Sequence, residues 1–148
     1  VEYLFGKVTM YPHYNSEARD LLMCFLEHYF PDDENLLIPK NPLHYKTDVS
    51  QFKDLFKDLP YKEGYRLLNG KIRELGENIP PLVNTYMNLS PTMKVFGTAI
   101  NSEFGDVEET GILIRISDIF SSKTDRHIKT FDPEKDHILF AEKKLKNT

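Results

Sequence analysis

The chain has 148 residues, enough for one domain with its own core, since domains of roughly 100 to 150 residues are the commonest size. Its 40% hydrophobic and 28% charged residues are ordinary soluble usage, which argues against a disordered chain, and no apolar run approaches the roughly 18 residues that a spanning helix requires. A formal charge of -4 argues against a general nucleic-acid binder, which would carry a basic surface.

No basic start followed by an apolar signal core is present, and the first residue is Val rather than Met, which suggests a processed or excised piece. The single cysteine, Cys24, lies among Leu21, Leu22, Met23, Phe25 and Leu26, so it reads as a small core residue in a reducing compartment rather than a nucleophile. Charge is unevenly placed: Asn101 to Thr110 holds Glu103, Asp106, Glu108 and Glu109 with no base, whereas the last residues include Lys143, Lys144 and Lys146.

In chain order, Tyr3 to Met10 is partly aromatic and β-branched and is closed by Tyr11-Pro12, which predicts a strand. Asn15 and Ser16 can cap a helix with Glu17 in its first turn, whose Leu21, Leu22, Phe25, Leu26 and Tyr29 share one face before Phe30-Pro31 ends it. Pro31 to Pro42, with three prolines and Asp32-Asp33-Glu34, has loop chemistry. Phe52, Leu55, Phe56 and Leu59 fall at i, i+3, i+4, i+7, and Asp48 with Gln51 resembles a capping box, so Asp48 to Leu59 should be a short amphipathic helix. After Pro60, the residues Tyr65, Leu68, Ile72 and Leu75 predict a helix over Tyr61 to Leu75 capped by Gly76. Pro80 and Pro81 open a further helix that buries Leu82, Val83, Tyr86 and Leu89. Lys94 to Ile100 and Gly111 to Ser117 read as an antiparallel pair joined by an acidic functional loop. Ser121 to Asp136 reads as polar and irregular, and His137 to Leu145 as a last short strand or helix.

This order, strand, helices, strand, strand, gives an α/β (α+β) fold class. Residues 1–120 are expected to be one domain or the C-terminal part of a larger one, and residues 121–148 a polar C-terminal extension. The strand at Gly111 to Ser117 is apolar on both faces, which fits a central position in a sheet.

Ile79, Pro80, Pro81, Leu82, Val83, Tyr86 and Leu89, followed by Phe104, Gly105, the Glu108-Glu109 pair and Ile112 to Ile116, resemble the C-terminal half of the bacterial ornithine-lipid and glycine-lipid N-acyltransferases, a hemolysin-like family of the GNAT superfamily. Tyr3 to Met10 resembles the strand that follows the acyl-donor segment in that family. The resemblance implies a GNAT-like (acyl-CoA N-acyltransferase-like) mixed sheet with strands near 3–10, 94–100 and 111–117 and covering helices. It also implies a full-length enzyme that transfers a fatty acyl group from an acyl-carrier-protein thioester to an amino-acid amine in aminolipid synthesis.

GNAT enzymes hold the donor pyrophosphate at a helix start marked Arg/Gln-x-x-Gly-x-Gly/Ala. The nearest stretch, Arg73 to Asn78, closes a helix instead of opening one and reads as a cap. The expectation is therefore that the donor-binding segment lies upstream, that this chain alone is inactive, and that it binds no cofactor itself, the carrier thioester being a co-substrate. N-acyl transfer needs a base for the attacking ammonium. Glu109 is the first choice and Glu108 the second, and adjacent residues in extended backbone point to opposite faces, so only one can serve. Solvated turn carboxylates are the competing reading.

His13, His28, His44, His127 and His137 have no metal spacing, so no metal site is expected. His44 to Asp48 is one residue short of the His-x-x-x-x-Asp motif of glycerolipid O-acyltransferases, no serine nucleophile elbow occurs, and Tyr61, Tyr65 and Tyr86 read as core. The expected partners are acyl-carrier protein and the amino-acid acceptor. Lys7, Lys40 and Lys46 are candidates for docking the acidic carrier, and a second copy could pair with the open edge of the first strand. The expected location is the cytoplasm, with peripheral contact at the inner membrane face. The alternative function is a non-catalytic interaction module using Asp48 to Leu75 against a protein or membrane, although Asp54 and Asp58 oppose anionic lipid.

Overall fold

The computed structural model describes residues 1–127, and its frame is a three-stranded antiparallel sheet. Strand β1 (Tyr3–Met10) pairs with β3 (Val107–Arg115) from Tyr3 opposite Arg115 to Met10 opposite Glu108, and β2 (Lys94–Asn101) lies on the other side of β3. The order β1-β3-β2 puts the predicted central strand in the centre. All described strands are antiparallel, so the parallel neighbour that would make the sheet mixed is not among them.

Two boundaries differ from the sequence reading. Strand β3 begins at Val107, not Gly111, so Glu108 and Glu109 stand inside the sheet and the β2 to β3 connection shrinks to a tight turn at Ser102–Phe104 followed by Gly105 and Asp106, both at positive φ. Within β2, Phe96 and Gly97 stand opposite Gly111 alone. This bulge explains why Val95 and Thr98, three residues apart, share the covered face, and it needs the φ of +82° that Gly97 supplies.

The helices are α1 (Ser16–Tyr29), α2 (Ser50–Leu55), α3 (Tyr61–Glu74), α4 (Pro81–Met87) and α5 (Ser121–His127). Asn15 caps α1 by accepting from the amides of Glu17 and Ala18. Every residue of α1 from Ala18 to Leu26 is buried, which makes it the central helix. Its Phe25 meets Phe56 edge-on at 5.3 Å, and both rings are fully buried, each such side chain contributing about 1.5–3 kcal/mol of transfer energy. Helix α3 ends as expected: the Gly76 amide donates to Arg73 and the Glu77 amide to Ile72, a Schellman motif with Gly76 at φ +79°. Arg73 to Asn78 is thus a helix end.

Helix α2 is shorter than the Asp48 to Leu59 expected, its cap residue is Val49, and Asp48 instead binds the Ser50 amide and hydroxyl. Phe52 and Leu55 pack on the core and Phe56 is within it, so the apolar face offered to an interaction partner in the alternative reading is turned inward. Residues 121–127 are helical where an irregular segment was expected, and the Phe120 amide ties this helix to Leu89. The expectations for 128–136 and His137 to Leu145 lie outside the described residues.

The sheet has one covered face. Val8, Met10, Val95, Thr98, Thr110, Ile112 and Ile114 are buried there with residues of α1, α3 and α4. Thr98 and Thr110 sit opposite each other and share a 2.6 Å hydroxyl contact. The outer edge of β2 is covered by the long loop before α2: Leu43 donates to Thr98, Asn41 accepts from Ile100, and Pro42 bridges Ala99. Strand β1 ends the sheet, and no backbone bond from another described element reaches its outer edge.

Candidate functional site

The period-two alternation of β3 sends its two glutamates to opposite faces. Glu108 points to the covered face. There its carboxylate accepts from Arg19 Nη1 at 2.7 Å, while Arg19 Nε and Nη2 donate to Asp20 Oδ1 at 2.8 and 2.6 Å. Asp20 Oδ2 accepts from the Lys46 and Thr47 amides and the Thr47 hydroxyl. Arg19, Asp20 and Glu108 are 2%, 0% and 7% exposed. Burial works against the guanidinium charge of Arg19, but the bonds to Asp20 and Glu108 outweigh it and raise its pKa above the ordinary value. This cluster fastens α1, the segment before α2, and β3 to one another.

Glu109 points to the open face. Its carboxylate receives Lys7 Nζ at 2.7 Å, across the diagonal from Gly111, which stands opposite Lys7. Lys7's hydrogen bond, helped by the Asn101 side chain and opposed by desolvation, holds the Glu109 carboxyl below its ordinary value. The burial-raised pKa that a base would gain in an enclosed site is therefore not found at Glu109 while Lys7 is its partner. Beside this polar pair lies an apolar patch: Phe5 and Phe96 stack at 6.1 Å, and both border Gly111, where an added Cβ would sit 3.4 Å from Phe96 and 3.7 Å from Phe5. Leu37, Ile38 and Pro39 extend the patch around a depression of about 290 Å³ that also touches Phe96. The open face thus joins a carboxylate and an ammonium to an apolar surface, which is the chemistry required by an amphiphilic amino-acid derivative.

A second groove, of about 370 Å³, runs along the free edge of β1 between Met10, Tyr11 and Tyr14 on one side and Pro80 and Leu82 on the other. Burial and the nearby Glu77 push the Tyr14 hydroxyl up to about 12, and it donates to the Asn78 carbonyl at 2.9 Å.

The chain is similar over 131 residues to two curated proteins named glycine N(alpha)-acyltransferase. It is 56% identical to the one from Bacteroides thetaiotaomicron, with 88% of this chain and 39% of that relative covered, and 53% identical to the one from Phocaeicola vulgatus, with 88% and 40% covered. This similarity supports an acyltransferase family. The chain spans about two-fifths of the length of these relatives. No family model and no solved structure matches it.

The two candidate carboxylates have different surroundings. Glu109 stands on the open face beside a cation, and Glu108 is locked to Arg19. Sequence reasoning missed Arg19 and Asp20, although their place at the head of a run apolar around the whole helix was a signal. Cys24 is 4% exposed, and burial pushes its thiol up, as befits a core residue. Tyr61, Tyr65 and Tyr86 pack on the core as expected, and Tyr65 donates to Asn84 Oδ1 at 2.7 Å. Among the described residues no helix is long and apolar enough to cross a membrane.

Proposed function

We propose that this chain is part of an N-acyltransferase that moves a fatty acyl group from an acyl-carrier-protein thioester to the amine of glycine, giving an aminolipid precursor. The observation that carries the reading is the 56% and 53% identity to two relatives whose name states glycine N(alpha)-acyl transfer. The β1-β3-β2 order, with helices between β1 and β2, agrees with the C-terminal half of a GNAT enzyme of the hemolysin-like type.

Glu109 is the base in this reading. Its carboxylate takes one proton from the glycine ammonium, and the freed amine attacks the thioester carbonyl carbon. The C–N bond forms as the C–S bond breaks, the departing thiolate takes up the second N–H proton, and Glu109 returns its proton to water. The apolar patch of Phe5 and Phe96 accommodates the chain end of the acyl group next to the reacting atoms. Exposed Lys40 and Lys46 offer docking charge for an acidic carrier protein. The enzyme works in the cytoplasm, at the inner membrane face where its lipid product is delivered.

The test is an acceptor and donor panel. The full-length protein and the 148-residue chain are each incubated with carrier protein bearing a labelled fatty acid, or with the same acyl group on coenzyme A, and with individual amino acids. Acylglycine from the full-length protein with the carrier-bound donor supports the reading. Transfer only from coenzyme A removes the carrier protein from it, and absence of any acylated amino acid overturns it.

A further inference from the structure

An amino-acid acceptor is a zwitterion, and a site that selects it must answer both charges. A base alone recognises the ammonium and would accept any amine. On the open face, the cation in contact with Glu109 among the described residues is Lys7, 54% exposed at its side chain, while Glu109 is 19% exposed. The residue directly opposite Lys7 is Gly111, which presents no side chain and is bordered by the rings of Phe5 and Phe96, so the ladder places no second charged side chain opposite Lys7. The Lys7-Glu109 pair is thus a charge pair whose partners are both reachable from the same side.

We infer that Lys7 binds the carboxylate of the amino-acid acceptor while Glu109 faces its ammonium, so that the ion pair seen here opens to admit the substrate zwitterion. This rests on the acyl-transfer reading above and assigns the residue that restricts acceptors to amino acids. The exchange has a consequence for the base. Once the acceptor carboxylate engages Lys7, Glu109 loses the hydrogen bond that holds its carboxyl low and becomes a better proton acceptor at the moment the ammonium arrives. An ordinary surface ion pair between neighbouring strands would have no such effect on substrate use.

The experiment compares glycine with glycinamide, which keeps the amine and lacks the carboxylate, using the full-length protein, K7Q and K7R. Loss of one charge-assisted contact predicts that K7Q raises the KM for glycine by on the order of tenfold to a hundredfold and does not raise the KM for glycinamide, which has no carboxylate to lose and no longer competes with Lys7 for Glu109. K7R, which keeps the charge, should restore most of the affinity for glycine. An unchanged KM for glycine in K7Q overturns the inference while leaving the enzyme reading intact, and so does an equal rise for both acceptors, which would assign Lys7 to the fold or the donor. If the wild type acylates neither acceptor, the enzyme reading itself fails and this assignment falls with it.

Discussion

Replacing Arg19 with methionine would remove the one cation of a cluster that is closed to water. The guanidinium is 2% exposed and spends its donors on Asp20 at 2.8 and 2.6 Å and on Glu108 at 2.7 Å. Without it, two carboxylates that are 0% and 7% exposed face each other with no countercharge. Breaking a buried pair from one side costs about 3–5 kcal/mol, whereas losing an exposed pair costs about 0–1 kcal/mol. Asp20 would keep its bonds from Lys46 and Thr47, so the larger share of the loss falls on Glu108. It follows that Glu108→Leu in the Arg19→Met background recovers part of the stability, with a coupling energy of about 1–3 kcal/mol. Urea unfolding of the wild type, both single variants and the double variant measures this cycle. A cost below about 1 kcal/mol for Arg19→Met, or strict additivity of the two changes, would refute the account of a desolvated, mutually dependent cluster.

Three further outcomes can be checked on the same chain. Thr98→Val or Thr110→Val alone leaves one buried hydroxyl without its 2.6 Å partner and should cost about 1–3 kcal/mol, while the double valine should cost less than the sum, as read by urea midpoints. Gly97→Ala forces a side chain into φ +82° with its Cβ 3.3 Å from Pro39, so it should cost about 1–2 kcal/mol or more and loosen the β2 bulge, seen as faster hydrogen exchange at β2 amides. Glu109, Asp118 and Asp48 are held below their ordinary values by hydrogen bonds, from Lys7, from Thr92 then Ser117, and from Ser50 respectively. Because a depressed native pKa means that the unfolded chain binds more protons, their stabilisation is complete above the ordinary values of 4.5 for Glu109 and 3.8 for the two aspartates and is lost as pH falls through the lower native ones. Unfolding midpoints taken from about pH 6 down to about pH 2 should fall, and a flat profile would contradict the assignment.

Much of the frame was legible because local chemistry and tertiary structure agree there. Pro12 ends β1 just beyond Met10, Asn15 caps α1, Gly76 stops α3 and Pro81 starts α4, each by a mechanism that acts within a few residues. The opposite faces of Glu108 and Glu109 also followed from strand geometry. The start of β3 did not, because Asp106, Glu108 and Glu109 look like a solvated turn unless Arg19, 89 residues away, is known to neutralise Glu108. Nor could Lys7 be matched with Glu109 before the register of β1 on β3 was in hand. The loop from Pro31 to Val49 hides its role for the same reason: its contacts with Thr98, Ile100 and Asp20 are all long-range.

The central claim is that Glu109 on the open face removes the proton from the acceptor amine. Its most direct test is the rate of acylglycine formation by the full-length protein and its Glu109→Gln variant, with carrier-bound donor saturating and product identified by mass. The account predicts amide-linked acylglycine from the wild type and a fall in kcat of on the order of a hundredfold in the variant, partly recovered at high pH where the acceptor amine is already free. An undiminished rate in Glu109→Gln would contradict it.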